Sequence, residues 1–215
     1  MKHQSVFFVL TRVVVILTAG LFFTTQAGAA SKPNIIVIMA DDLGYGDVGC
    51  YNPESRIPTP NIDKLAQKGM LFTDAHSPST VCTPTRYSVL TGRMAFRTGI
   101  KGVFDGAGGP CLIEKERLTI GGMLQKKGYT TALFGKWHVG LTFFDKSSGQ
   151  PIHSNASEDV LRIDYSRSIP DAPIHRGFDF FFGSANCPTT DALYAFIDGD
   201  RIPVPPTHWL DRSPL

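Results

Sequence analysis

Charge of one sign, long apolar runs and cysteine are all scarce in this 215-residue chain, and each scarcity excludes something. Twenty-one Lys and Arg against nineteen Asp and Glu leave a formal charge of +2, and the two excess positives, Lys2 and Arg12, lie before residue 30. The remainder is near neutral and carries no basic stripe, so no nucleic-acid partner is expected. The longest apolar run, Val13 to Phe23, has eleven residues. That is short of the roughly 20 residues a membrane span needs, so no stable membrane insertion is expected. The four cysteines, Cys50, Cys82, Cys111 and Cys187, include no pair at close zinc-ligand spacing. A thiolate metal site is therefore not assigned, and no Cys-His-Asn arrangement stands out.

What is present is an ordinary globular balance, 42% hydrophobic and 19% charged, in a chain long enough for one medium domain with a sizeable core. Residues 1–29 read as a secretory signal: Lys2, His3 and Arg12 give a basic start, the eleven-residue apolar run follows, and Ala27-Gly28-Ala29 offers a small-residue cleavage site. An uncleaved anchor is the alternative, because apolar residues lie on both sides of Arg12. On either reading residues 30–215 are exported to a periplasmic, secreted or other extracytoplasmic compartment.

The run Asn34 to Ala40 is apolar and rich in β-branched residues, which predicts a strand buried on both faces, parallel and central. Asp41-Asp42-Leu43-Gly44 follows at its C-terminal end, where open α/β sheets place ligands. Adjacent carboxylates repel unless solvated or bridged by a hard cation such as calcium or magnesium. Thr59 to Gly69 reads as a helix with Ile62, Leu65 and Ala66 turned inward. Met70 to Ala75 reads as a strand or extended loop, residues 102–110 as a loop, Leu118 to Lys127 as a helix and Tyr129 to Phe134 as a buried strand. Residues 141–173 are polar and irregular and read as a surface excursion; Asn155-Ala156-Ser157 within them matches a glycosylation acceptor. Asp198-Gly199 is a hairpin turn signal. The rhythm predicts an α/β fold with a central, mostly parallel sheet flanked by helices.

Two stretches carry chemistry. Val81 to Arg93 contains Cys82-Thr83-Pro84-Thr85-Arg86 and closes on Leu90-Thr91-Gly92-Arg93. Pro84 suits a first helical turn and Gly92 a C-terminal cap. Cys82 then sits just before the helix, where the dipole favours negative charge, with Arg86 one turn on. An isolated cysteine is more often merely buried. The second stretch is Gly135-Lys136-Trp137-His138 at the end of a strand. Alternation there sends Lys136 and His138 the same way, a pairing suited to an anion. His76, six residues before Cys82, reads as structural.

These stretches resemble the signatures of the type I sulfatases, the arylsulfatase family of the alkaline phosphatase superfamily. Arg176-Gly177-Phe178-Asp179-Phe180-Phe181-Phe182-Gly183 is similar to a third family segment, although Cys187 stands where some relatives place a polar residue that touches the sulfate ester. The resemblance implies an alkaline-phosphatase-like fold and a sulfuric ester hydrolase acting on aryl sulfates or sulfated glycans. It implies that Cys82 is converted to formylglycine by a formylglycine-generating enzyme, leaving three cysteines and an undecided pairing. It implies a divalent metal, calcium ahead of magnesium, on Asp41, Asp42 and residue 82. Arg86 and Lys136 would offset sulfate charge and His138 would serve as base. The family's later Asp-Asn pair, second histidine and second lysine are not recognisable, so the chain is expected to be the N-terminal part of a longer catalytic domain, truncated on its C-terminal side. A phosphomonoesterase or phosphonate hydrolase of the same superfamily, and a non-catalytic product, are the rival readings.

Overall fold

A computed structural model describes residues 32–99, 102–154, 156–187 and 192–208. The leader read over residues 1–29, and the acceptor Asn155, lie outside the described residues. The chain divides into two compact units, Met1–Tyr45 and Gly46–Leu215.

In the first unit, residues 33–40 take no regular secondary structure and join no strand ladder. Ile36 is 83% and Ile38 86% exposed. This corrects the expected buried central strand. A run without a polar face is stable as a strand only when sheet neighbours and covering layers are in place, and periodicity reports apolar content, not the partners.

The second unit opens with a 3-10 turn reaching Asp47. Helix α1, Pro60–Lys68, follows with Pro60 in its first turn, but none of its residues is buried. Ile62 and Leu65 are exposed, as are Met70, Leu71 and Phe72 after it, so the expected inward stripe has nothing to cover it. Helix α2, Cys82–Thr91, is the helix that enters the core: Thr83, Pro84, Tyr87, Ser88 and Leu90 are buried, a spacing of three and four that makes one face. Gly92, at φ 65°, caps it by donating its N–H to the Ser88 carbonyl.

Helix α3, Ile120–Gln125, is capped by the Thr119 hydroxyl, which accepts from the Gly122 N–H. It leads into an open, mixed sheet of three strands in the order β1-β2-β3: Ala132–Lys136, Phe180–Ser184 and Phe196–Asp198. β1 and β2 are parallel with Lys136 opposite Ser184, and β2 and β3 are antiparallel. Phe181 and Ile197 face the core, while Phe134 is 74% exposed and no residue of β1 is buried, which corrects the buried strand expected over 129–134. Asp179 ties the sheet entry together. Its carboxylate accepts from the Thr131 N–H and hydroxyl and from Gln125, and those bonds, the backbone one first, hold it below the ordinary carboxylate range.

Residues 141–173 are not the surface excursion their polarity suggests. Leu141, Phe143, Ile152, Val160, Ile163, Ile169 and Ala172 all join the core around Trp137 and Tyr87. Isolated apolar residues spaced along irregular chain have no period to betray them, but each can still be turned inward. No helix among the described residues is long and apolar enough to cross a membrane.

Candidate active site

The first turn of α2 and the end of β1 meet at one place. Cys82 is the first residue of α2, one position further in than expected, and no side chain caps the helix start. Lys136, the last residue of β1, donates from Nζ to Cys82 Sγ across 3.2 Å. Arg86, one turn along α2, donates from Nη1 to the Lys136 carbonyl at 2.5 Å. Helix and strand are therefore tied twice, once through the lysine side chain and once through its backbone. A thiol, an ammonium and a guanidinium share half-buried surroundings, where charge-assisted hydrogen bonds are stronger than in open water.

His138 is placed differently from the simple alternation. The strand ends at Lys136, and His138 takes a left-handed backbone, φ 57°, so its side chain does not continue the Lys136 row. It is 2% exposed, and its Nε2 lies 2.7 Å from the Phe104 carbonyl. Its own carbonyl accepts from the hydroxyl of Thr83, which is completely buried, at 2.8 Å. Thr83 and Phe104 carry no signal of this in the sequence beyond the place of Thr83 beside Cys82.

Asp41 and Asp42 lie in the first unit, at a bend after the apolar run, with Asp42 at φ 59°. Asp42 and His138 are the non-glycine residues with positive φ among those described, a conformation that tends to persist where surroundings impose it, as at functional sites. Two carboxylates offer the oxygen donors a hard cation prefers, but calcium takes six to eight. Among the described residues no group of three or more His, Cys, Asp and Glu side chains could hold a metal ion. The residues described do not complete such a site on their own.

His76 pairs with Asp74 at 2.6 Å on the surface. All four cysteines are free thiols. Cys111 lines a cleft of about 450 Å³ with Arg93, Arg97, Phe104 and Glu114, and none of Cys82, Arg86, Lys136 and His138 lines it.

Burial, and then the Asp171 carboxylate, push the Cys111 thiol from an ordinary 9.0 up to about 12. At neutral to mildly basic pH this leaves about a thousandfold less thiolate than an ordinary cysteine holds. Iodoacetamide labelling of the native protein, followed by peptide mass, is expected to modify Cys111 clearly more slowly than an ordinary thiol, the smaller thiolate fraction outweighing the greater nucleophilicity of each thiolate. Labelling of Cys111 at an ordinary rate would contradict its desolvation.

The sulfatase family model matches residues 33–197. The chain belongs to the sulfatase family. It is 38% identical to human steryl-sulfatase over 170 residues, 76% of this chain and 26% of that protein. It is 44% identical to human arylsulfatase A over 128 residues, 58% and 23% of the two. A solved structure described under metabolism of multiple glycosaminoglycans by Bacteroides thetaiotaomicron superposes with TM-score 0.66 at 33% identity, covering 80% of this chain and 32% of that one. The sulfatase chain thus spans about a quarter of the length of the curated relatives it matches. Cys82, Arg86, Lys136 and His138 all fall inside the matched stretch.

Proposed function

We propose that this sulfatase-family chain serves a sulfuric ester hydrolase that works through formylglycine at position 82. The observation that carries the reading is the Lys136 ammonium 3.2 Å from Cys82 Sγ. That sulfur stands for the oxygen that a formylglycine side chain would carry there. When present, formylglycine hydrates to a geminal diol, which supplies a hydroxyl to attack sulfur and a C–O bond whose cleavage later releases sulfate. A serine alcohol would offer the attack without that exit.

The chain's own groups then have definite work. Lys136 donates to the negatively charged sulfate oxygens as the bond to the leaving alcohol or phenol breaks. Arg86 supports it twice, by adding a fixed positive charge and by holding the Lys136 backbone through its carbonyl. His138 is the proposed base that takes the proton of the second hydroxyl as the aldehyde reforms. Asp41 and Asp42 are proposed to provide two oxygen ligands to a divalent cation, calcium ahead of magnesium, with further donors needed; the cation would supply Lewis acidity. Relatives named steryl-sulfatase and arylsulfatase A, and a solved structure described under glycosaminoglycan metabolism, support a sulfate ester of an alcohol or phenol as the proposed substrate class. Export, with the leader over residues 1–29 and maturation by a formylglycine-generating enzyme, completes the proposal.

Peptide mass across residue 82 tests it, in protein coexpressed with a formylglycine-generating enzyme. Conversion to the aldehyde is expected to lower the peptide mass by about 18 Da relative to the thiol. A persistent thiol under conditions that convert a control sulfatase would remove the nucleophile and sink the reading.

A further inference from the structure

The hydrogen bonds around His138 fix both its ring and its backbone. A carbonyl oxygen has no proton to give, so at 2.7 Å from the Phe104 carbonyl the His138 Nε2 must be the donor. The neutral ring then carries its proton on Nε2, and Nδ1 is the nitrogen with the lone pair. Phe104 is itself held: its N–H donates to Thr83 Oγ1 at 3.4 Å. The same hydroxyl donates to the His138 carbonyl at 2.8 Å, and the His138 N–H donates to the Ala185 carbonyl at 2.8 Å. Both backbone groups of a residue at φ 57° are thus pinned, which is how an unfavourable backbone conformation is kept. Thr83 closes a ring of three hydrogen bonds through Phe104 and His138, and it follows Cys82 directly.

We propose that Thr83 and Phe104 are positioning residues for His138. The Phe104 carbonyl holds the imidazole as its Nε2–H tautomer, leaving the lone pair on the buried Nδ1, the nitrogen that the proposed base role would use. The Thr83 hydroxyl keeps that carbonyl and the left-handed His138 backbone in register with residue 82. The part about turnover rests on the proposed role of His138 as base; the part about the tautomer does not.

The test uses the full chain labelled with 15N-histidine and long-range proton–nitrogen correlation spectra above the titration of the ring, with His138 assigned by loss of its signals in His138→Gln. The expected result for the native sequence is a protonated Nε2 and an unprotonated Nδ1, with slow exchange of the Nε2 proton. Thr83→Val, which keeps the shape and deletes the hydroxyl, is expected to mix the two tautomers and to speed that exchange at least tenfold. Thr83→Ser is expected to restore both. In the matured protein, Thr83→Val is expected to lower kcat for a sulfate ester about tenfold with KM unchanged. An Nδ1–H tautomer in the native sequence would overturn the proposal, and so would a Thr83→Val protein with native tautomer and exchange, or a Thr83→Ser protein that behaves like Thr83→Val. The native-sequence spectrum decides the tautomer even where Thr83→Val does not fold. If the spectra come out as expected while His138→Gln leaves turnover intact, the base assignment fails and the positioning stands.

Discussion

On the proposed sulfuric ester hydrolase reading, Lys136→Ala in the matured protein is expected to lower sulfate ester turnover by about 10²–10³-fold, chiefly in kcat. The size follows from what one aimed donor contributes when charge develops in a site shielded from water. Nζ lies within hydrogen-bond reach of the residue-82 side chain, so it is in place before substrate arrives and costs no reorganisation. Alanine removes the donor but leaves the Lys136 backbone carbonyl, and with it the bond from Arg86. The variant should therefore keep the junction of helix α2 and strand β1 and lose chemistry more than folding. Lys136→Arg sharpens the test. It retains the charge but presents a planar fork in place of a compact ammonium, so recovery of only part of the lost rate is expected. Steady-state kinetics with kcat and KM separated, and melting temperature measured alongside, check it. A Lys136→Ala protein with native kcat would show that the 3.2 Å contact is incidental.

How far the sequence alone reached depends on whether a feature is local. Helix α2 and its Gly92 cap were legible because each is written in neighbouring residues, as was a strand before Trp137, read over 129–134 and observed over Ala132–Lys136. Arg86 one turn after Cys82 was also legible, and both do meet Lys136. The hairpin signal at Asp198-Gly199 appears as the turn after β3, with Asp198 and Arg201 bridged. The exposure of Asn34 to Ala40 and of the α1 stripe was not legible, because apolar content asks for partners without naming them. The direction of His138 was missed since alternation holds only while the backbone stays extended, and it leaves that region at φ 57°. Thr83 and Phe104 escaped for another reason: their bonds to His138 span 55 and 34 residues, and nothing local encodes them. The core contribution of residues 141–173 was hidden in the same way.

The largest expected effect on stability is at Gly183. Gly183 sits opposite Gly135 in the parallel pair β1–β2, and a Cβ added to it would fall well inside contact with the Gly135 carbonyl and backbone nitrogen. Backbone cannot swing aside as a side chain tip can, so Gly183→Ala must part the strands or shift one along the other. A cost of about 3 kcal/mol or more is expected, which for a chain of this size is roughly 6–12 °C in Tm. Gly92→Ala is the control that separates crowding from backbone strain. Gly92 has φ 65° and open space where a Cβ would go, so alanine there pays only for the left-handed conformation, about 1–2 kcal/mol. Thermal unfolding of both variants should place Gly183→Ala clearly below Gly92→Ala. Because Lys136 follows Gly135 directly, the strand displacement forced by Gly183→Ala should also break the contact between Nζ and residue 82, whereas Gly92→Ala, at the far end of α2, should spare it. Equal melting temperatures would mean that β1 and β2 do not approach as closely as their register requires.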